Sequence, residues 1–218
     1  MKRLAALLAP VLVLAAACST GPDDESTPDG RATLVVLGDS LTAPIGRDDA
    51  DWLQWADPEG RFELLANAGV PGERTDQILA RVESDVIVPG PEWATVLAGT
   101  NDVNADVDAM TIIANLTAIY DQLAAAQIGI IALTLPPMVM LQPNRVEAHQ
   151  AVNAWLREHV EVDWPGSVLA DWNPALSVNG DGISPIPEYF ADMVHLNAEG
   201  ARAGGEALRD VFAAVPVD

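Results

Sequence analysis

Four polar residues, Ser40, Asn101, Asp192 and His195, are of the types that an acyl-transfer site uses. A serine hydroxyl is a weak nucleophile until a base such as histidine takes its proton, and a carboxylate can orient that base. Glycine N–H groups and asparagine amides donate hydrogen bonds to the oxyanion that develops during such a reaction. The question is whether the fold brings these four side chains together.

Ser40 comes at the end of the first predicted strand. The run 33–37 (Thr-Leu-Val-Val-Leu) is typical of a strand buried on both faces, and Gly38 and Asp39 end it. At the carboxyl end of a parallel strand, a serine lies at the mouth of a binding crevice and at the start of the next helical turn. Asp-Ser is also ordinary turn and helix-cap chemistry, so this stretch alone leaves both interpretations open.

The base is sought among the three histidines of the chain. His149 and His159 lie in a helix-like segment, where we interpret them as solvated side chains. His195 lies just before the last predicted helix and follows Asp192 by three residues. A carboxylate at that spacing can reach the imidazole within one turn and fix its tautomer.

Two other carboxylates of the C-terminal part, Asp171 and Asp181, are alternative partners for His195. We choose Asp192 because its position requires no long-range loop closure. A local cap or loop hydrogen bond is the competing interpretation of Asp192.

Strand-like and helix-like segments alternate along the chain after Ser40. Further strands are predicted at 62–67, 93–98, 130–135 and 168–170, and helices at 75–84 (with Thr75 as N-cap), 108–127, 145–160 and 197–212. This alternation predicts one three-layer α/β/α domain with a five-stranded parallel sheet, in the flavodoxin-like order 2-1-3-4-5. In that order the first three strands are neighbours, so Ser40, Gly69 and Asn101, each following one of them, converge on one crevice.

The first residues have the layout of a secretory signal peptide, with Lys2 and Arg3, an apolar run at 4–14 and three alanines before Cys18. This stretch resembles a bacterial lipoprotein signal, in which cleavage leaves the cysteine N-terminal and lipid-modified. We therefore predict a signal peptide at 1–17, a lipidated Cys18 with a disordered tether at 18–30, and the domain at 31–218. The protein would be an extracytoplasmic, membrane-anchored lipoprotein of the bacterial cell surface or periplasm. An ordinary signal peptide is the alternative.

The chain is strongly acidic, with 11 basic and 32 acidic residues and a net charge of −21. Without a basic stripe to neutralise phosphates, nucleic-acid binding is excluded as a function class. No two histidines share a ligand-like spacing with a carboxylate, so no metal site is predicted. Cys18 is the only cysteine, which rules out an intramolecular disulfide, and we expect a monomer.

Four short blocks resemble, in the same order, the motifs of the SGNH (GDSL) hydrolases. The blocks are Gly-Asp-Ser-Leu at 38–41, Asn-Ala-Gly-Val-Pro-Gly at 67–72, Gly-Thr-Asn-Asp at 99–102 and Asp-Met-Val-His at 192–195. The resemblance implies Ser40 as nucleophile, His195 as base and Asp192 as the orienting acid. It also implies an oxyanion hole formed by the backbone N–H groups of Ser40 and Gly69 with the Asn101 side chain.

The resemblance implies a carboxylic-ester hydrolase that works through a serine acyl-enzyme without a cofactor, on a small-molecule or glycan ester. We expect short- to medium-chain acyl esters, with residues 138–141 (Met-Val-Met-Leu) either forming an apolar lip or packing against a helix. A carbohydrate O-deacetylase is the alternative, in which Trp52 and Trp55 stack on a sugar unless they belong to the core. An inactive surface binding module is the third possibility, and the retention of all four blocks argues against it.

Overall fold

The computed structural model describes residues 30–139 and 142–217. The predicted signal peptide, Cys18 and the tether up to residue 29 lie outside the described residues, as do two residues of the predicted lip, 140 and 141. The strands are β1 (Ala32–Gly38), β2 (Phe62–Gly69), β3 (Trp93–Leu97), β4 (Gly129–Leu133) and β5 (Val168–Ala170). The α-helices are α1 (Leu53–Ala56), α2 (Thr75–Leu79), α3 (Thr100–Asn104), α4 (Ala109–Ala125), α5 (Pro143–Asp163) and α6 (Ala198–Ala214). None of the helices in this described part is long and apolar enough to cross a membrane.

The five strands form one sheet in the order β2-β1-β3-β4-β5, and every neighbouring pair is parallel. This confirms the predicted fold class and strand order. Gly38 at the end of β1 pairs with Gly69 on β2 and Leu97 on β3. The segments that follow these three strands therefore leave the sheet at the same edge, beside one another.

The two faces of β1 contribute to two separate hydrophobic cores. Val35 and Leu37 pack in the core that includes residues of α4 and α5. Leu34 and Val36 pack in the other, which includes residues of α1 and α6. This alternation is what the two-residue period of a strand buried on both faces requires. The result is the predicted three-layer arrangement, with β1 fixed from both sides.

The region after β2 differs from the prediction of one helix at 75–84. The α-helix α2 ends at Leu79, and a π-helical turn at Glu83–Ile87 follows it. Thr75 is not the N-cap, because Arg74 occupies that position. The Thr75 N–H and hydroxyl instead both donate to the buried carboxylate of Asp102, at 2.8 and 2.6 Å.

Two short helices, α1 and α3, were not predicted from the sequence. Gly99 precedes α3 with a φ of 125°, a conformation that favours glycine and that turns the chain from β3 into the helix. The helices α4 and α6 begin as predicted, whereas α5 begins two residues before the predicted start at 145. Asp108 accepts the Thr111 N–H at the start of α4, and Asn197 accepts the Gly200 N–H at the start of α6.

Candidate active site

Ser40 lies immediately beyond β1, in a turn that Asp39 organises. The Asp39 carboxylate accepts the Leu41 N–H at 2.9 Å, and its backbone carbonyl accepts the N–H groups of Thr42 and Ala43. Asp39 is fully buried, whereas Ser40 is only partly buried at the surface of the turn. The hydrogen bonds of Asp39 thus fix the turn that holds Ser40 at the edge of the sheet.

The structure brings Ser40, His195 and Asp192 together as one chain of hydrogen bonds. The Nε2 atom of His195 lies 2.9 Å from the Ser40 Oγ, and its Nδ1 lies 2.8 Å from Oδ2 of Asp192. The other oxygen of Asp192 accepts the backbone N–H groups of Val194 and His195, both at 2.8 Å. The hydrogen bond from the His195 backbone N–H, followed by those from the His195 ring and the Val194 N–H, lowers the pKa of Asp192 to about 2. The carboxylate is therefore ionised throughout the neutral range, as an orienting acid must be.

The other acidic candidates are engaged elsewhere. Asp171 forms a two-point ion pair with Arg157, at 2.8 and 3.0 Å. Asp181 accepts the backbone N–H groups of Ile183 and Ser184. Among the described carboxylates considered for His195, Asp192 is thus the one that contacts its ring.

The interpretation of His149 as a solvated side chain was wrong. His149 is fully buried, with its Nε2 atom 2.9 Å from the Pro136 carbonyl, and burial lowers its pKa. The burial arises because α5 packs over the segment that follows β4, which the sequence pattern did not indicate. The His159 side chain is 41% exposed, in agreement with the interpretation as a solvated side chain, and it pairs with Asp163.

Asn101 lies in the first turn of α3, where its side-chain amide faces the end of β1. The Asn101 Nδ2 donates to the Glu73 carbonyl at 2.9 Å and to Oδ2 of Asp39 at 3.2 Å. Both contacts lie on segments that follow neighbouring strands. The amide is therefore held at the same sheet edge as Ser40, where the sequence predicted an oxyanion donor.

Gly69 lies at the end of β2 as predicted, but its N–H, which the sequence indicated as an oxyanion donor, already has a hydrogen-bond partner. Its N–H donates to the Oδ1 atom of Asn67 at 2.8 Å, and so it is occupied within its own loop. A Cβ atom at Gly69 would lie 2.5 Å from the Ala43 nitrogen, which shows that the glycine is needed for close packing against the turn after Ser40. Gly72, three residues later, is exposed, has a φ of 84° and has open space on its Cβ side. Sequence reasoning did not select Gly72, although it stands in the same motif.

Asp39 is the buried ionisable group closest in sequence to Ser40. Burial raises its pKa from 3.8 to about 7. The Asp39 carboxyl accepts hydrogen bonds from Leu41 and Asn101, so it joins the nucleophile turn to the amide of Asn101. Its protonation state changes near neutral pH, which makes the stability of this turn pH-dependent.

A small cavity of about 40 Å³ opens beside Ser40 and His195. Its other walls are Leu41, Pro44, Ala50 and Leu196, all apolar. It leaves space for a small apolar group beside the Ser40 hydroxyl.

The predicted apolar lip at 138–141 and the two tryptophans predicted to stack on a sugar lie in different environments. Met138 is buried and belongs to the core, whereas Val139 is 41% exposed and its N–H donates to the Met193 carbonyl. Trp52 is fully buried and donates to the Leu41 carbonyl, so it is a core residue and not a sugar platform. Trp55 is covered by the Arg202 guanidinium, 5.1 Å above its ring. Within residues 30–139 and 142–217, no cluster of histidine, cysteine and carboxylate side chains could hold a metal ion.

The sequence matches a family model described as the GDSL-like Lipase/Acylhydrolase family over residues 36–203. The chain belongs to this family. The match includes the segments that carry Ser40, Asn101, Asp192 and His195. The expected family resemblance is thereby confirmed.

Among curated proteins, the chain is similar to an acetylxylan esterase of Geobacillus stearothermophilus. The two are 32% identical over 76 residues, which cover 35% of this chain and 32% of that protein. The matched segment thus spans about a third of that relative's length.

Two solved structures illustrate the fold. A member of the lipolytic G-D-S-L family from Veillonella parvula aligns with a TM-score of 0.70 at 19% identity, covering 84% of this chain and 98% of that one. A Geobacillus acetyl-xylooligosaccharide esterase variant aligns with a TM-score of 0.65 at 21% identity, covering 86% and 96%. At these identities the similarity shows a common fold.

Proposed function

We propose that the protein is a carboxylic-ester hydrolase that forms an acyl-enzyme on Ser40. The observation that carries the proposal is the continuous chain of hydrogen bonds from the Ser40 Oγ through His195 to Asp192. The Ser40 Oγ lies 2.9 Å from the His195 Nε2, and the His195 Nδ1 lies 2.8 Å from Oδ2 of Asp192, which supports the roles of nucleophile, base and orienting carboxylate for these residues. Membership of the GDSL-like lipase/acylhydrolase family supports the same reaction class.

In this mechanism, the Ser40 Oγ attacks the ester carbonyl while the His195 Nε2 takes the hydroxyl proton. The tetrahedral intermediate collapses as the C–O bond to the alcohol breaks and His195 returns the proton to the leaving oxygen. Water then attacks the acyl-enzyme, again giving a proton to His195, and Ser40 leaves with that proton. The Asp192 carboxylate holds the proton of His195 on Nδ1, so that Nε2 faces Ser40 as an acceptor.

The oxyanion donors in this mechanism are the Ser40 N–H, the Asn101 amide and the backbone of the loop after β2. Within that loop we assign the donor to Gly72, because Gly69 packs against the turn after Ser40 and its N–H is taken by Asn67 inside the loop. The Asn101 amide also has contacts, but its longer one, 3.2 Å to Asp39, is the one that the oxyanion replaces in this mechanism. The carbonyl of the neighbouring residue, Glu73, accepts a hydrogen bond from the Asn101 amide, which supports a Gly72 N–H close to the Asn101 donor. A glycine with open space on its Cβ side lets a substrate approach the backbone closely.

The substrate class that we propose is an ester with a short acyl group, acetyl in the first place. The apolar cavity of about 40 Å³ beside Ser40 supports this size limit. A carbohydrate alcohol is the second part of the proposal, supported by the similarity to an acetylxylan esterase and to an acetyl-xylooligosaccharide esterase. Carbohydrate O-deacetylation is thus preferred here to hydrolysis of medium-chain esters.

The experiment compares purified wild type with Ser40→Ala on p-nitrophenyl acetate, butyrate and octanoate, and on acetylated xylan. The proposal predicts hydrolysis of the acetate, a steep decline with chain length, acetate release from the glycan, and loss of each activity in the variant. A wild type inactive on every ester would support the binding-module alternative. Octanoate as the best substrate would overturn the acyl-size proposal.

We also propose that the chain is exported, anchored through a lipidated Cys18 and monomeric. The sequence layout of residues 1–18 supports export and lipidation. Mass spectrometry of the N-terminus of protein made in a lipoprotein-processing bacterium should find acylated Cys18, and Cys18→Ala should leave the membrane fraction. Cleavage at another residue or an unmodified Cys18 would contradict lipidation. Size-exclusion chromatography with light scattering tests the monomer.

A further inference from the structure

The proposed oxyanion donors come from three separate segments, and a fixed spacing between them is required. Ser40 follows β1, Gly72 follows β2 and Asn101 follows β3. The segment from Val70 to Glu73 lies beyond the paired part of β2, so the sheet contacts it only at Val70, whose N–H donates to the Gly38 carbonyl of β1. Oxyanion stabilisation depends on donors that are in place before the reaction, and misplacement by about 1 Å can cost about 10²-fold in rate.

Arg81 joins the first two of these segments through its guanidinium group. Its Nη2 donates to the Gly38 carbonyl at 2.9 Å, two residues before Ser40. Its Nε donates to the Glu73 carboxylate at 2.6 Å, and its Nη1 to Asp85 at 2.7 Å. The planar guanidinium therefore contacts three segments, which are the end of β1, the loop after β2 and the π-helical turn at Glu83–Ile87.

Glu73 extends the connection to the third segment. Its side chain is held by Arg81, and its carbonyl accepts the Asn101 Nδ2 at 2.9 Å. At the other end of the same loop, the Val70 N–H also donates to the Gly38 carbonyl, at 3.0 Å. The loop that carries Gly72 is thus attached at both ends to one carbonyl group, that of Gly38, and Arg81 makes one of the two attachments.

We propose that Arg81, with Glu73, is a positioning residue that fixes the spacing of Ser40, Gly72 and Asn101 around the developing oxyanion. This role rests on the ester hydrolysis proposed above. The Arg81 and Glu73 side chains are only 14% and 19% exposed, so solvent and salt screen their ion pair less than an exposed one. A lysine cannot replace the arginine, because one ammonium group cannot reach all three acceptors in the same plane.

A purely structural role for Arg81 is distinguishable from this positioning role. The far end of the loop is held independently, because Thr75 donates twice to the buried Asp102 carboxylate. Loss of the Arg81 contacts should therefore leave α2 attached and loosen chiefly the segment from Val70 to Glu73. The expected defect is in kcat, with little change in KM or in the unfolding temperature.

The test is a double-mutant cycle on p-nitrophenyl acetate hydrolysis, with rates normalised to the sites titrated by a serine-reactive phosphonate. It compares wild type, Arg81→Lys, Asn101→Ala and the double variant. Arg157→Lys, alone and with Asn101→Ala, is the matched control, since Arg157 forms a two-point ion pair with Asp171 beyond β5. Glu73→Gln removes the charge of the partner carboxylate in the Arg81–Glu73 ion pair, and it replaces Arg81→Lys in the test if that variant does not fold.

Arg81→Lys should lower kcat about 10- to 100-fold with KM within about twofold. Added to Asn101→Ala, it should lower kcat by a clearly smaller factor than in the wild type, because one of the three donors that it positions is already absent. Glu73→Gln should lower kcat in the same direction, and Arg157→Lys should leave it unchanged. Fully multiplicative effects, an effect on KM alone, or equal losses in the Arg157 control would overturn the proposal. A wild type without activity on any ester would instead refute the proposed function itself.

Discussion

The Nε2 atom of His195 lies 2.9 Å from the Oγ atom of Ser40, although 155 residues separate them in the chain. Two turns create this contact, one directly after β1 and one directly before α6. The second is closed by hydrogen bonds from the Ala191 N–H to the His195 carbonyl and from the Asn197 N–H to the Tyr189 carbonyl. The backbone around His195 is therefore held by hydrogen bonds, although the His195 side chain itself is 47% exposed.

Asp192→Asn should lower kcat by about 10² to 10⁴, through the wrong tautomer of His195. The two backbone N–H groups that contact Asp192 would hold the new amide oxygen, so its NH₂ group would face Nδ1 and force the ring proton onto Nε2. Loss of the negative charge also disfavours the imidazolium, so the acidic limb of the pH–rate profile should move to lower pH.

Asp171→Asn and Asp181→Asn are the controls for Asp192, and both should retain the wild-type kcat and pH profile. Each of these carboxylates has its own partners, Arg157 for Asp171 and backbone N–H groups for Asp181. A wild-type profile in Asp192→Asn, together with a loss in either control, would show that the orienting acid was wrongly assigned.

Asn101→Ala should lower kcat by about 10²–10³ with a smaller change in KM, because the amide acts mainly on charge that develops in the transition state. Steady-state kinetics on p-nitrophenyl acetate measure both constants. Asn115→Ala is a suitable control, since Asn115 donates to Thr75 at 2.9 Å and lies on α4. An effect of Asn101→Ala confined to KM would indicate ground-state binding of the substrate.

Asp39→Asn should flatten the pH dependence of stability between about pH 4 and 7. Burial raises the pKa of Asp39 from 3.8 to about 7, so the folded state binds a proton that the unfolded state has released in this interval. The wild type therefore loses stability relative to the variant as the pH rises from 4 to 7, and the difference is constant above 7.

Urea unfolding at a series of pH values measures the Asp39 effect, and Asp181→Asn is the control of opposite sign. Backbone N–H groups of Ile183 and Ser184 lower the pKa of Asp181, so its contribution is present above the ordinary carboxyl range and is lost as the pH falls. Parallel curves for wild type and Asp39→Asn between pH 4 and 7 would contradict a raised Asp39 pKa.

Leu196→Ala should broaden the acyl range, because Leu196 forms one wall of the cavity of about 40 Å³ beside Ser40. The ratio of kcat/KM for p-nitrophenyl butyrate to that for the acetate should rise about 10-fold or more, as one or two extra methylenes become accommodated. Leu53→Ala, near the same core but outside the cavity walls, is the control. An unchanged ratio would show that the acyl group binds elsewhere.

The sheet and the reacting groups were accessible from the sequence because they depend on local signals. The run 33–37 and its counterparts alternate with helical segments, and this pattern determines a parallel sheet with few alternatives. Ser40, Asn101 and His195 stand directly at element ends, where motifs are short and regular. Their convergence follows once the strand order is known.

Long-range contacts account for what the sequence did not reveal. The Asn67 amide donates to the Ile45 carbonyl at 2.7 Å, 22 residues away, and this contact fixes the side chain whose oxygen takes the Gly69 N–H in a local Asx turn. The burial of His149 depends on how α5 packs over the end of β4. Arg81 lies in the segment predicted as a helix at 75–84, and its contact with the Gly38 carbonyl depends on how that segment packs against β1.

The most direct measurement of the central claim is reaction of the protein with a fluorescent, serine-reactive organophosphonate, followed by peptide mapping. The account predicts one labelled residue, Ser40, with labelling abolished in Ser40→Ala, strongly slowed in His195→Ala and unchanged in Ser167→Ala. All variants should unfold near the wild-type temperature. Labelling at another serine, or labelling of the Ser40→Ala variant at the wild-type rate, would contradict Ser40 as the nucleophile.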